Sequence, residues 1–121
     1  MMVGSFDEPE LIMLFSRGRI ETITVGHRVV GRASLHPGWR WSRSIAAAPR
    51  GEPAAAIGVV LRGRVALRSA EGAEVELGAG EFFQVVLTEA HDAWVVGHES
   101  CEVLYFSGIE CLIDRLRGVE L

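Results

Sequence analysis

The sequence contains neither lysine nor asparagine, and all 12 of its basic residues are arginine. We attribute the joint absence to GC-rich coding, because both amino acids have AT-rich codons, and we infer no chemistry from it. The basic residues are scattered among 16 acidic residues, and the net charge is -4 at neutral pH. Nucleic-acid and anionic-membrane surfaces need clustered cations, so the composition speaks against both as partners.

Cysteine and long apolar runs are scarce as well. Cys101 and Cys111 show no CxxC or Cys/His spacing, which speaks against a disulfide framework and favours a reduced compartment. No apolar run approaches the roughly 18 residues of a membrane-spanning helix, and the acidic N-terminus is unlike a signal peptide. We therefore expect a cytoplasmic protein with a single domain over residues 1–121, a length too short for two ordinary domains.

What the sequence does contain is a series of short β-type runs separated by Gly, Pro and acidic turns. The run 82–87 is almost wholly apolar, which is typical of a strand covered on both faces. After the last run, apolar residues at helical spacing predict a short amphipathic C-terminal helix that ends at Gly118. The predicted strands lie at about 20–25, 28–35, 64–68, 74–77, 82–87, 93–96 and 103–106. About eight strands with one terminal helix predict an all-β jelly-roll barrel.

The clearest local signal is a hairpin that turns at residues 70–73. Apolar and charged residues alternate in both of its arms, and pairing across the turn places Arg68 near Glu74. An ion site and a solvated hairpin face are both compatible with these charges. We favour the solvated face, because exposed ion pairs are common and weak.

Two tryptophans precede the most compositionally biased segment of the chain. Trp39 and Trp41 follow a Pro-Gly turn and would share one face of an extended segment. Residues 42–56, rich in Ala, Pro, Arg and Gly, then read as a loop of about 15 residues. Whether this loop covers the mouth of the barrel as a lid stays open.

The segment from Gly80 to His91 resembles the second conserved motif of the cupin family. Gly80 and His91 match that motif in identity and spacing, whereas its Pro, Gly and Asn are replaced by Val86, Thr88 and Val95. A closer resemblance is to small single-domain cupins with PGWRWS and HDAWVVG segments. Here these segments begin at Pro37 and at His91, and the resemblance runs from about residue 7 to residue 108. It implies a cupin-like jelly roll, while the function stays open because this fold hosts many chemistries.

The sequence departs from the family pattern at the positions of the metal ligands. The resemblance implies metal-binding histidines near Ser44, at Ala56 and at His91, and only His91 is a histidine. One imidazole cannot hold a divalent ion tightly, because protein metal sites usually have three or four ligands. We therefore expect a degenerate, metal-free site without a cofactor. Retention of a metal through His91 with His36 or His98 stays an open alternative.

His91 is the leading functional candidate, since the matched ligand position points into the barrel. It could bind a ligand or act as a general acid or base, and a core histidine satisfied by its neighbours is an equal alternative. Trp39 and Trp41 could stack on a flat ligand, although large aromatic residues are more often core or interface. Gln84 and Tyr105 are candidate pocket donors, with hydrogen bonds to backbone as the alternative.

Three functions follow from these observations. The first is a barrel that binds or senses a small organic molecule and reports binding through a homodimer. The second is a cofactor-independent isomerase, cyclase or lyase that uses His91 as general acid or base. The third is a structural dimer without a ligand, which a closed core and a large apolar interface would indicate. We favour binding, because the sequence shows one candidate acid or base and no oriented partner for it.

Overall fold

The computed structural model describes residues 1–44, 55–86, 91–110 and 112–113, which form nine strands and one short helix. The strands are β1 Leu11–Phe15, β2 Gly18–Val25, β3 Arg28–Leu35, β4 Ala55–Arg62, β5 Val65–Arg68, β6 Glu74–Leu77, β7 Phe82–Val86, β8 Asp92–Val95 and β9 Cys101–Ser107. Helix α1 spans Trp41–Ser44. Residues 109, 110, 112 and 113 are also helical.

The strands form two antiparallel sheets that enclose one core. The larger sheet has the order β1-β2-β3-β9-β4-β7 and the smaller sheet the order β6-β5-β8. Buried apolar side chains from both sheets belong to one cluster, which includes Ile20, Ala33, Leu35, Val60, Val65, Ala93, Val95 and Val103. The predicted all-β jelly-roll class is confirmed, with its strands divided between these two facing sheets.

Several predicted elements are present at the expected positions. β3 spans Arg28–Leu35, as predicted, and the Pro-Gly turn follows it. The hairpin of β5 and β6 pairs Arg68 with Glu74, and the Arg68 Nη2 lies 2.6 Å from the Glu74 Oε1. The start of the C-terminal helix contributes Ile109, Leu112 and Ile113 to the core; its predicted continuation to Gly118 lies outside the described residues. Strand β1 was not predicted.

The prediction that residues 82–87 are covered on both faces is wrong for the part that the structure describes. β7 pairs with β4 alone and lies at an edge of the larger sheet. Phe82 is 65% exposed and Gln84 is exposed as well, whereas Phe83 and Val85 pack against the core. An apolar run indicates that much of a strand is buried, but it does not indicate whether a second layer of structure covers the strand's outer face.

The segment of Trp39 and Trp41 is not extended, so the condition under which they would share one strand face is not met. A turn precedes Trp39, Arg40 forms one isolated bridge with Trp94, and Trp41 begins α1. The predicted loop of residues 42–56 is helical at its start and becomes β4 at Ala55. Residues 45–54, and with them the possible lid, lie outside the described part. No helix among the described residues is long and apolar enough to span a membrane.

A buried carboxylate lies on the face of β2 opposite to the core residue Ile20. The Glu21 side chain is 5% exposed, and its Oε1 lies 3.1 Å from the Nη2 of both Arg19 and Arg32. Burial alone would raise the pKa of Glu21, but hydrogen bonds and charge from the two guanidinium groups hold it below its ordinary value. Phe6 lies against Arg32, 4.8 Å from the guanidinium carbon to the ring centre, which ties the N-terminal segment to this cluster.

Candidate ligand-binding cleft

A cleft of about 300 Å³ opens between the β5–β6 hairpin and the edge strand β7. Its apolar walls come from Leu67 and Val75 on the hairpin and from Val85 and Val86 on β7. The cleft is lined by Leu67, Arg68, Ser69, Ala70, Glu71, Ala73, Glu74, Val75, Gln84, Val85, Val86 and His91. This volume lies at the lower end of the range typical of small-molecule sites.

A much smaller cavity lies deeper between the two sheets. Its volume is about 30 Å³, which is room for one water molecule or one oxygen-bearing group. Leu67, Val85 and His91 line both this inner cavity and the outer cleft. We therefore treat the two as the outer and inner parts of a single site. The inner cavity is further lined by Leu35, Trp39, Trp41, Val65, Phe83, Ala93, Val103 and Tyr105.

His91 is at the junction of the two parts, and Trp41 packs on its ring. The two ring centres are 4.8 Å apart and the ring planes are inclined by 37°. The following strand alternates between its two faces: Ala93 and Val95 are buried in the core, whereas Asp92 and Trp94 point to the other face. His91 and Trp41 thus bring strand β8 and helix α1 together at the site.

Asp92 holds helix α1 in place from the opposite face of β8. Its carboxylate accepts hydrogen bonds from the Arg40 Nε at 2.7 Å, the Ser42 amide at 3.1 Å and the Ser42 hydroxyl at 3.2 Å. Burial raises the pKa of Asp92, but the hydrogen bonds from Arg40, Ala93 and Ser42 outweigh it and leave the pKa below its ordinary value. Asp92 therefore positions Trp41, which begins the same helix, and does not itself line the cleft.

The inner cavity is lined by two residues that can donate a hydrogen bond, Trp39 and Tyr105. The Trp39 indole nitrogen is buried and has no hydrogen-bond partner among the described residues. Burial raises the pKa of the Tyr105 phenol far above its ordinary value, with a smaller contribution from Cys101, so the hydroxyl stays protonated. The Tyr105 ring meets Phe83 edge to face, with ring centres 5.8 Å apart. A buried donor without an acceptor costs about 1–3 kcal/mol, so the Trp39 N–H calls for an explanation.

The structure brings together four of the five predicted site residues. His91, Trp39, Trp41 and Tyr105 all line the inner cavity. Gln84 is exposed and lines only the outer cleft, which it shares with His91. The two tryptophans meet there although the segment is not extended, because the turn before Trp39 and the start of α1 redirect them.

Sequence reasoning missed the outer wall of the site. The hairpin was interpreted as a solvated surface, yet Arg68 and Glu74 line the mouth of the cleft while remaining about half exposed. The Arg68 guanidinium carbon also lies 5.1 Å from the Trp94 ring centre, and that of Arg40 lies 4.8 Å from it. The alternation in β5 marked Leu67 as inward-facing, but no sequence signal linked it to Val85 across the cleft.

No family model matches the chain, and no curated protein matches it. Solved structures do. The polyketide cyclase RemF from Streptomyces resistomycificus has a TM-score of 0.66 and 16% identity, over 88% of this chain and 78% of that one. The Cupin_2 domain of an XRE family transcriptional regulator from Enterobacter cloacae has a TM-score of 0.57 and 10% identity, over 74% and 94%.

The fold is cupin-like. The structure of FeII HppE supports the same conclusion, with a TM-score of 0.65 and 13% identity over 88% of this chain and 60% of that one. At these identities the similarity concerns the fold alone. The structural neighbours therefore support the cupin-like fold that the sequence predicted.

The cupin-like fold raises the question of a metal, and the donor set does not fit one. Ala56, at an expected ligand position, is fully buried and offers only a methyl group. His36 and His98 are exposed and do not line the cleft, and the His36 Nδ1 lies 3.2 Å from the Ser100 hydroxyl. Within the described ranges, no three His, Cys, Asp or Glu residues are grouped as a metal ion would require.

Proposed function

We propose that this cupin-like protein binds a small organic molecule in the cleft between the β5–β6 hairpin and β7. The observation that carries the proposal is the continuity of the site: an outer cleft of about 300 Å³ and an inner cavity of about 30 Å³ share Leu67, Val85 and His91. A closed core would have favoured a purely structural dimer. A largely apolar cleft with a few polar groups at its inner end is typical of ligand sites.

The walls of the cleft favour a flat ligand of modest size. Leu67, Val75, Val85 and Val86 offer apolar contact on both sides, and burying such surface contributes about 25 cal/mol per Å². At the inner end, the stacked rings of Trp41 and His91 offer an aromatic surface. The proposed site is metal-free, because the described residues offer no set of ligands for a metal ion.

The same geometry supports catalysis as a second candidate function. His91 and Tyr105 both line the inner cavity, so an imidazole and a phenol would both be near the enclosed part of a substrate. A cofactor-independent cyclase, isomerase or lyase could use His91 as general acid or base with Tyr105 as hydrogen-bond donor. The similarity to a polyketide cyclase supports catalysis, and the similarity to a regulator domain supports sensing equally.

The assembly that we propose is a homodimer. Ile12 and Leu14 on the edge strand β1, and Phe82 on the opposite edge strand β7, are apolar and at least half exposed. Exposed apolar residues on sheet edges favour association with another chain. Analytical ultracentrifugation of the wild type and of Phe82→Glu and Leu14→Glu tests this proposal, and a monomeric wild type would contradict it.

Binding is tested by a thermal-shift screen of small aromatic and aliphatic compounds, followed by native mass spectrometry of the hits. Val85→Trp fills the shared wall of the cleft and should abolish every shift caused by a hit. Phe82→Trp is the matched control, because it adds an indole to the outer face of the same strand and should leave the shifts unchanged. Shifts that survive Val85→Trp would place binding elsewhere, and a screen without any hit would contradict the proposed function.

A further inference from the structure

The chemical class of the ligand can be narrowed from the charges at the mouth of the cleft. The lining carries one guanidinium, Arg68, and two carboxylates, Glu71 and Glu74. Arg68 is engaged already, because its Nε and Nη2 both donate to the Glu74 Oε1, at 2.9 and 2.6 Å. Among the described lining residues, an anionic ligand would meet a net negative rim whose one guanidinium is already paired with Glu74. Removing its charge from water costs free energy, and no ion pair with the rim would offset that cost.

The inner end of the cleft disfavours a cationic ligand for a different reason. Trp39 can only donate a hydrogen bond, whereas Tyr105, which lines the same small cavity and is protonated, can donate or accept one. An ammonium group is also only a donor, so it finds no acceptor in the Trp39 indole. The cavity has room for about one oxygen-bearing group. An acceptor oxygen is small enough for this cavity and can accept the hydrogen bond that the Trp39 N–H can donate.

We infer that the ligand is an uncharged, flat molecule whose carbonyl oxygen enters the inner cavity and accepts a hydrogen bond from the Trp39 N–H. This inference rests on the proposed function and specifies its ligand. The ring system lies between Leu67 and Val85 beside the Trp41–His91 pair, and the Arg68–Glu74 ion pair borders the mouth. The carbonyl supplies the acceptor that the Trp39 N–H lacks among the described residues.

The test uses four probes that share one ring system: naphthyl methyl ketone, ethylnaphthalene, naphthoate and naphthylmethylamine. Titrations are followed by ligand-observed NMR on the full chain at neutral pH. We expect the ketone to bind about five-fold more tightly than the hydrocarbon, which corresponds to one net hydrogen bond. Naphthoate and the amine should bind more weakly than the ketone.

Variants of the two donors locate the hydrogen bond. Trp39→Phe keeps an aromatic ring and removes the N–H, so the ketone should lose its advantage while the hydrocarbon binds as before. Tyr105→Phe gives a second measurement in case Trp39→Phe does not fold, and we expect a smaller loss. Trp94→Phe is the matched control, because Trp94 does not line the cleft and a phenylalanine ring keeps an aromatic face beside Arg68 and Arg40.

The outcomes separate this inference from the function on which it rests. Equal binding of ketone and hydrocarbon, strongest binding of naphthoate or the amine, or an unchanged preference in Trp39→Phe would overturn the inference and leave a binding cleft intact. If none of the four probes binds, the inference is wrong for this ring system. The Val85→Trp comparison then decides separately whether the cleft binds other small molecules.

Discussion

The His91 imidazole packs on the Trp41 indole, with ring centres 4.8 Å apart and planes inclined by 37°. Trp41 begins helix α1 and His91 immediately precedes β8, so this contact joins two segments that are distant in sequence. It determines where the histidine ring lies within the cleft. The same packing explains why a histidine can occupy a largely apolar wall, since its ring faces lie against an aromatic neighbour.

Replacing Trp41 with alanine should remove the ring contact that positions the His91 imidazole. We expect Trp41→Ala to lower the free energy of unfolding by about 1–3 kcal/mol, because Trp41 is half-buried and pairs with a second ring. The indole ring current should shift the His91 ring protons upfield in the wild type, and that shift should vanish in the variant. Trp41→Phe should retain most of the stability and part of the shift. Unchanged His91 resonances in Trp41→Ala would contradict the observed contact.

The hydrogen-bonded Asp92 carboxylate predicts a pH-dependent contribution to stability. Its folded-state pKa is lowered from the ordinary value of 3.8, so the contribution is present above that pH. It is lost as the pH falls below 3.8 and through the folded-state pKa. We expect Asp92→Asn to lower the free energy of unfolding by about 1–3 kcal/mol at pH 7. This difference between wild type and variant, the stability gap, should narrow as the pH falls.

Urea denaturation followed by circular dichroism between pH 3 and pH 7, in about half-unit steps, measures this gap. Asp7→Asn is the matched control, because Asp7 is exposed and its side chain makes no comparable network. A gap that stays constant down to the lowest pH would mean that the charge of Asp92 is not what stabilises the segment.

The buried Glu21 should contribute more to the free energy of unfolding than Glu76, a more exposed carboxylate in the smaller sheet. Glu21→Gln leaves the Arg19 and Arg32 guanidinium groups close together without their shared anion. Because only Glu21 is buried and the two arginine side chains are partly exposed, we expect a loss of about 1.5–3 kcal/mol, the range for hydrogen bonds to charged groups. Glu76→Gln removes an ion pair with Arg64 whose side chains are about half exposed, and should change the unfolding midpoint little. Equal effects of the two substitutions in urea denaturation would refute this ranking.

A close approach between Gly31 and Ile109 predicts a coupled pair. A Cβ added at Gly31 would lie 2.6 Å from the Ile109 Cγ1, and Ile109 is fully buried at the start of the C-terminal helical segment. We expect Gly31→Ala to cost about 1–3 kcal/mol through overpacking and Ile109→Ala to cost about 2–5 kcal/mol through a cavity.

The double variant of Gly31→Ala and Ile109→Ala should be less destabilised than the sum of the two single variants, because the new methyl group fills part of the cavity. A double-mutant cycle by urea denaturation measures the coupling. Strict additivity would show that the two residues do not share this space.

The elements that sequence reasoning predicted well are those governed by neighbours along the chain. β3 has β-branched residues and ends at a Pro-Gly turn, and the β5–β6 hairpin alternates on both sides of a short turn. β1 was missed, because its residues Leu11 to Phe15 are all apolar and show no alternation. The exposed face of β7 was missed, because only the sheet order makes β7 an edge strand.

The sequence by itself determined the all-β class and the two faces of the segment around β8: His91, Ala93 and Val95 on one side, Asp92 and Trp94 on the other. Such alternation follows from the local geometry of a strand. Only the tertiary structure decided that Leu67, Val85 and His91, from separate segments, wall one cleft, and that the Trp39 N–H lies buried without an acceptor among the described residues. These relations depend on how the sheets pack, and packing brings together residues that no local pattern connects.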